Sequence, residues 1–590
     1  MTALITALCL IGYLLGYFVY AHFLSEKIFG LDPKRRTPAH ELRDDVDYVP
    51  TNRYVLFGHH FASITGLSPM LGPAVAVIWG WLPALLWVVL GALFVGCVHD
   101  FGALVVSMRA KGMSIGKVAE GIIGRRAKSL FHAIIFFGVA LAMGVFVYII
   151  AVLFSITDAW HPDQPLADTT SFPTAVLPSG FLIVLAMIMG YLLHKKGFSL
   201  LPTTVVGFFL MLVGVWAGIE LPLLGLDRSA WPGQGSWVLI LLAYAFLASV
   251  LPVWSLLQSR DFLNSLLLYL GLGLAYIGLF VWAPDFAAPA FQAQPEGAPS
   301  FFPFVFIIIA CGAASGFHSL VSSGTTAKQI DREPDARPVG YGGMIGESLL
   351  GLLAVLACTA GLVDQGDFSA KALWRETYAD WGKMSGLGAK IGTFITGAAH
   401  FIEKLGIDFQ IATALIAVVV VSFALTTLDS ATRLLRFNIA EIADTLRLPF
   451  LGNRYLASLL AVGVIGFFAF YRIDGQAAGL ALWRLFGTTN QLLAGLTLLT
   501  VSLYLKQRGR NAWVTGIPMA FMLVSTFIAL VSNLEDYLEE GATLLLVVGS
   551  ILFVLAAWLT FEAAACFLRM KDQAPIESLD VPIDGSRGAT

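Results

Sequence analysis

Apolar runs long enough to cross a bilayer recur along this chain from residue 3 to residue 567. A helix needs roughly 20 mostly apolar residues to span about 30 Å of hydrocarbon, and a segment within lipid must satisfy its own backbone donors and acceptors. The ten-residue alternation of a barrel strand is absent, so each run predicts a helix. The runs are 3–23, 54–79, 83–108, 129–155, 179–194, 199–220, 236–252, 262–283, 302–322, 341–363, 409–428, 455–471, 479–504, 515–533 and 543–567. They predict an all-α polytopic membrane protein with about fifteen transmembrane helices. Composition agrees, since 57% of the 590 residues are hydrophobic and only 13% are charged, too little polar surface for a soluble body. A net charge of −3 offers no basic surface to nucleic acid. Five cysteines, Cys9, Cys97, Cys311, Cys358 and Cys566, fall inside apolar runs at spacings that match no disulfide framework or CxxC site, so they are read as packing residues. The first run lacks the basic start and cleavage site of a signal peptide and is expected to stay as a membrane helix.

Charge gives the orientation. Loop 24–53 carries Lys27, Lys34, Arg35, Arg36, Arg43 and Arg53, and loop 109–128 is equally basic, whereas 156–178 and 284–301 contain no Lys or Arg. The positive-inside rule places the basic loops in the cytoplasm. The stretch 387–405 would reverse every later loop if it crossed, so it is expected outside, as a lid or a plain connecting helix. The N-terminus then lies outside and the C-terminus in the cytoplasm.

The ten runs from 54–79 to 409–428 divide into five that start inside and five that start outside. This is the pattern of an inverted five-plus-five repeat, whose first helices are broken at the midplane. The expected units are an N-terminal extra helix and loop over 1–53, a first repeat over 54–235, a second over 236–430, about four C-terminal helices over 431–570 and a tail over 571–590. In FGHHFASITGLSPMLGP, residues 57–73, Pro69 and Pro73 cannot donate to the preceding turn, and Gly66 and Gly72 make departure from helical geometry cheap. In LASVLPVWSLLQSRDFLN, residues 247–264, Pro252 is expected to make the matching break.

Ionisable residues inside spans face a cavity or a partner. They are His59 and His60, His99 and Asp100, His318, Glu347 and Asp429, the last expected to pair with Arg433 one turn on. The histidines admit three roles: a proton relay, ligation of zinc or haem, or hydrogen bonds between helices. Ser322 and Ser323 facing carbonyls near Thr65 and Gly66 would suit a sodium ion, or simply pack helices.

The segments GHHFASITGLSPMLGP, GWLPALLWVVLGALFVGCVHDFGALVVSMRAKGMSIG, SGFHSLVSSGTTAKQI, FALTTLDSATRLLRFNI and WRLFGTTNQLLAGLTLL resemble the carbon starvation protein A (CstA) family of bacterial inner-membrane transporters, from about residue 50 to 505. The resemblance implies a LeuT-type core of the APC superfamily, peptide uptake under nutrient limitation and, in close relatives, pyruvate import by proton symport. Family members are similar but carry Gln-Asp where this chain has His99-Asp100, so no family role carries over to position 99. The chain is also shorter at its C-terminal end than the largest members.

The expectation is a secondary active importer of small peptides or pyruvate, a carrier and not an enzyme, with no cofactor beyond a coupling proton or sodium ion. Substrate would meet Ser63, Thr65, Gly66, Ser68, Trp254, Ser255 and Gln258, and its carboxylate would dock at a half-helix N-terminus. His59, His60, Asp100, Asp261, His318, Ser322 and Ser323 are the ion-coupling candidates, with sodium at Thr65, Gly66, Ser322 and Ser323. A haem- or metal-binding redox subunit and a channel are the alternatives. Asn490 and Gln491 are expected to bond helices together, and a monomer and a homodimer are equally compatible with the sequence.

Overall fold

The computed structural model describes residues 1–156, 160, 171–364, 368–381, 387–470, 472–473, 476–477 and 483–569. The expected tail over 571–590 lies outside these residues. Every expected membrane segment contains helix. Among the described residues, ten helices are long and apolar enough to cross a membrane, and the bent pair Arg53–Ile64 and Ser68–Trp79, taken as one span, makes an eleventh. Gln234–Val250 and Arg454–Phe470 are apolar but shorter. The chain is an all-α multi-pass membrane protein.

The first broken helix follows the sequence closely. Its half nearer the basic loops (the inner half), Arg53–Ile64, is capped by the Asn52 side chain and ends where Thr65 turns extended (φ −78°, ψ 95°). Its outer half, Ser68–Ala76, opens with Pro69 in the first turn, where a missing N–H costs nothing. The two halves bend by 47°.

The second broken helix is not at Pro252. That proline lies in a turn that ends Gln234–Val250 and precedes Leu257–Trp282, two separate helices, so its missing donor falls in a loop. The break lies instead within 301–324, between Phe301–Ile308 and Gly316–Gly324. There Cys311 is extended (ψ 144°) and Gly312 takes φ 91°, a conformation that favours glycine. No proline marks it.

The two breaks meet. A Cβ on Gly312 would lie 3.5 Å from Pro69, and one on Gly72 only 2.4 Å from the Ile308 carbonyl oxygen. Gly96 likewise approaches the Ala313 carbonyl, within 2.2 Å of a Cβ placed there. Glycines thus seat the backbone that the break leaves irregular, the close approach typical of small residues between membrane helices.

Around the breaks, Leu257–Trp282 packs on the inner half of the first broken helix, and Trp483–Gln507 packs on Gly316–Gly324. Arg125–Phe154 lies along Phe409–Thr445, and Gln234–Val250 touches both Phe409–Thr445 and Arg454–Phe470. The hairpin Val176–His194 and Leu200–Glu220 packs against the outside of Leu257–Trp282, with many of its apolar side chains exposed.

Leu387–Glu403, with 17 residues, is shorter than the helices that are long and apolar enough to cross a membrane. It lies on the face opposite the basic loops, against the outer half of the first broken helix, where Gly397 abuts the Ala357 carbonyl and Gly278 abuts that of Phe401. The preceding segment adds a second layer, with the Tyr378 hydroxyl donating to the Ala74 carbonyl (2.9 Å) and Trp79 against Trp381.

Candidate functional site

His59 and His60 are neighbours on the inner half of the first broken helix and point about 100° apart, each into a different buried cluster. His59 Nδ1 lies 2.8 Å from Asp261 Oδ2, which also accepts from the Ser63 hydroxyl at 3.0 Å. Ser63 in turn reaches Ser430 at 3.2 Å. Arg260 sits between two carboxylates: its guanidinium is 3.5 Å from Asp261 Oδ1 and pairs directly with Asp429, whose Oδ2 also accepts from the Tyr244 hydroxyl at 2.6 Å. His59, Asp261, Arg260 and Asp429 are all buried.

This overturns the expected Asp429–Arg433 pair. Arg433 instead donates to the carbonyls of Ala248 and Leu251 and faces Asp47 at 3.6 Å. Arg260 was missed because it reads as the basic end of a loop. The structure sets it one turn inside Leu257–Trp282, where Asp261 of its own helix and Asp429 of Phe409–Thr445 compensate its charge.

On the other side, His60 Nδ1 meets the Thr326 hydroxyl at 2.9 Å. Nearby, Asp100 is held by two imidazoles, His99 Nδ1 at 2.7 Å and His318 Nδ1 at 2.8 Å, and His318 Nε2 lies 3.2 Å from Glu347 Oε2. Sequence neighbours on a helix need not cooperate, but His99 and Asp100 do here.

Between the clusters lies the break itself. The hydroxyls of Thr65 and Ser68 are buried without a hydrogen-bond partner. Ser68 borders a cavity of about 10 Å³, room for a single water, together with Ile308, Cys311, Trp381, Trp483 and Arg484. Arg484 pairs with Asp536 while its Nε stays unpaired. In the sequence it is a single cation near the start of the run 479–504.

Three expected substrate contacts are elsewhere. Trp254 stacks near His194 and Lys195 beside the inserted hairpin, the Ser255 hydroxyl donates to the Pro252 carbonyl, and Gln258 donates to Thr51 and Gln329 on the basic face. All three follow from placing the second break at Pro252. The expected sodium cradle also does not assemble as drawn. Ser323 donates to the Ser319 carbonyl and accepts from Ile115 N, while Gly66 abuts Thr427 and Phe146. The hydroxyls of Ser322 and Thr427 are buried and unpaired. Asn490 bonds helices together as expected, accepting from Phe317 N and Ser315 and so capping Gly316–Gly324.

A larger cavity, about 380 Å³, opens on the basic face between the inner half of the second broken helix, Phe409–Thr445 and the segment 112–117. Leu320, Ser323 and Gly324 line it from the broken helix, and Lys117, Lys328, Glu441 and Asp444 bring charge to it.

Against known proteins, the family described as carbon starvation protein CstA matches residues 1–381 and 373–529. The chain belongs to the carbon starvation protein CstA family. It is 33% identical to the peptide transporter CstA of Campylobacter jejuni over 91% of this chain and 80% of that one. The Bacillus subtilis peptide transporter CstA is also 33% identical, over 89% of each chain. The pyruvate/proton symporter BtsT of Escherichia coli is 31% identical over 88% of this chain and 80% of its own. Among solved structures, a manganese transporter of Eremococcus coleocola aligns with 90% of this chain and 99% of its own at 13% identity, with a TM-score of 0.45, a likeness too loose to carry an argument. The named relatives in the CstA family are transporters, and a transporter is what this bundle of membrane-crossing helices is.

Proposed function

We propose that this CstA-family chain is a proton-coupled importer of small carboxylate solutes, peptides or pyruvate, working by alternating access across the bacterial inner membrane. The observation that carries it is the charge count around Arg260. One guanidinium faces two carboxylates, Asp261 and Asp429, in a site without water access. Burying a net charge costs several kcal/mol (~2 or more), so neutrality requires one further proton, and the His59–Asp261 pair is where it is held. His59 and Ser63 belong to the broken helix, Asp261 and Asp429 to helices packed beside it. Losing that proton weakens the tie between the moving element and its surround, which is what coupling requires.

The repeat in this reading runs from 53 to 282 and from 301 to 507, each unit opening with a broken helix, with the hairpin over 176–220 inserted in the first. The basic face is cytoplasmic by the positive-inside rule. The carboxylate docks at the midplane, at the N-terminus of Ser68–Ala76, which favours an anion. Thr65, Ser68 and Arg484 supply its polar contacts. Leu387–Glu403 is the outer lid, and the 380 Å³ cavity on the basic face is read as an inward-facing vestibule because the second broken helix lines it, whereas the 590 Å³ cavity on the opposite face is lined by 286–292 and 371–379.

The test is uptake of dipeptide and pyruvate into proteoliposomes under an imposed pH or sodium gradient. A pH gradient should concentrate one of the two substrates, and Asp261→Asn or His59→Gln should abolish accumulation while sparing counterflow exchange. Absence of accumulation under either gradient overturns the reading. Sodium has one observation in its favour, the unpaired Thr427 hydroxyl beside Gly66, and accumulation driven by sodium alone would select it.

A further inference from the structure

We infer that Cys311, His318 and Glu347 form a binding site for a divalent transition ion, zinc by donor chemistry, independent of the transport reading. Their ligand atoms, one sulfur, one imidazole nitrogen and one carboxylate oxygen, all lie within 4.8 Å of one another, and all three residues are buried. Thiolate, imidazole and carboxylate together are a zinc donor set, with bonds of about 2.0–2.3 Å. Ligands at such bond lengths sit roughly 3.3–3.7 Å apart on a tetrahedron, and His318 Nε2 is 3.2 Å from Glu347 Oε2.

Three further features separate this cluster from an ordinary polar contact. His318 Nε2 and both oxygens of Glu347 are fully buried yet make no hydrogen bond, although they face each other. A donor and acceptor would align, whereas two ligands of one ion need not. Second, His318 presents its other nitrogen, Nδ1, to Asp100 at 2.8 Å. That contact holds the proton on Nδ1 and leaves the Nε2 lone pair free, the carboxylate–histidine arrangement that orients and strengthens a metal ligand. Third, Cys311 Sγ has two polar neighbours: the Asn490 amide donates to it at 3.3 Å, and as a thiol it donates to the Ser315 hydroxyl at 3.3 Å, a proton that ion binding would displace. Thiolate and Glu347 carboxylate neutralise a divalent ion between them.

The break in 301–324 is what makes the site possible. Cys311 is extended and Gly312 has φ 91°, so the sulfur leaves the helical path and comes within reach of His318 in the next half-helix and Glu347 in Gly343–Ala360. An ion there ties the second break to its neighbouring helix.

The experiment uses the full chain, purified without a histidine tag or chelator. Elemental analysis is expected to find about one zinc per chain. Replacement by cobalt(II) should produce a near-ultraviolet thiolate-to-cobalt band that Cys311→Ser abolishes and Cys9→Ser leaves intact. Asp100→Asn should retain the band but weaken zinc affinity 10- to 100-fold, the usual effect of removing a partner of a ligating histidine. Monodisperse protein that holds less than a tenth of an equivalent after zinc loading, or cobalt protein without the band, overturns the site. A band that survives in Cys311→Ser places the ion elsewhere and overturns it equally. Should Cys311→Ser fail to fold, Glu347→Gln decides: the band retained with zinc affinity lowered at least tenfold supports the site, and unchanged affinity overturns it.

Discussion

Single residues carry most of what is specific here. Gly72 has no room for a side chain, because a Cβ would lie 2.4 Å from a backbone oxygen that cannot swing aside. Gly72→Ala is therefore expected to cost about 1–3 kcal/mol of stability, the range for overpacking, and to lower uptake, read by thermal unfolding and transport on the same preparation. Gly273, which has nothing within 4 Å of a Cβ position, is the control, and Gly273→Ala should change neither. Arg484 borders the small cavity at the breaks. If it grips the substrate carboxylate, Arg484→Gln should raise KM roughly 10- to 100-fold, the worth of one charge-assisted hydrogen bond, with little change in maximal rate. A purely structural role through Asp536 would lower the maximal rate instead. The prolines and glycines of the first break were legible in the sequence because their effect is local. Arg260, Cys311 and Arg484 were not, because a cation at a span's end and a cysteine in an apolar run look ordinary until other helices supply their partners.

At the scale of elements, the helices were legible and the second break was not. Apolar length alone fixes a membrane helix, but a break can rest on proline, which announces itself, or on glycine and small residues, which do not. ACGAASG at 310–316 has only the second kind. Pro252 misled because a proline near a helix end has the same local effect whether it interrupts a span or terminates it. The helix Leu387–Glu403 makes a different prediction. Burial penalises the charge on Lys390 and lowers its pKa to about 8, against the opposing pull of Cys358 and Asp380. Its ammonium donates to the Thr377 carbonyl at 3.0 Å and lies over the Tyr378 ring. The unfolded chain binds this proton more tightly, so the penalty is fully present below pH 8 and fades as pH rises towards the unfolded value of 10.5. The Tm of the unaltered protein should rise relative to that of Lys390→Met across this window. A difference that stays flat or falls would contradict it.

For the whole molecule, two layers cover the first broken helix on the face opposite the basic loops, where a cavity of about 590 Å³ lies between 286–292 and 371–379 without reaching either broken helix, while a cavity of about 380 Å³ on the basic face is lined by the second broken helix itself. A membrane-impermeant thiol reagent should therefore modify Ser323→Cys from the basic side and not from the other, measured in inside-out and right-side-out vesicles. Substrate or ion applied from the opposite side should slow that labelling if the two faces open in turn. The inward-facing state proposed above also bears on direction. A carrier that rests open to the cell interior is as ready to load there as outside, so on the proposed mechanism nothing in its architecture acts as a valve. Whether it feeds or drains the cell would be set by the gradient imposed upon it, and in a de-energised cell the same protein would be a route of loss.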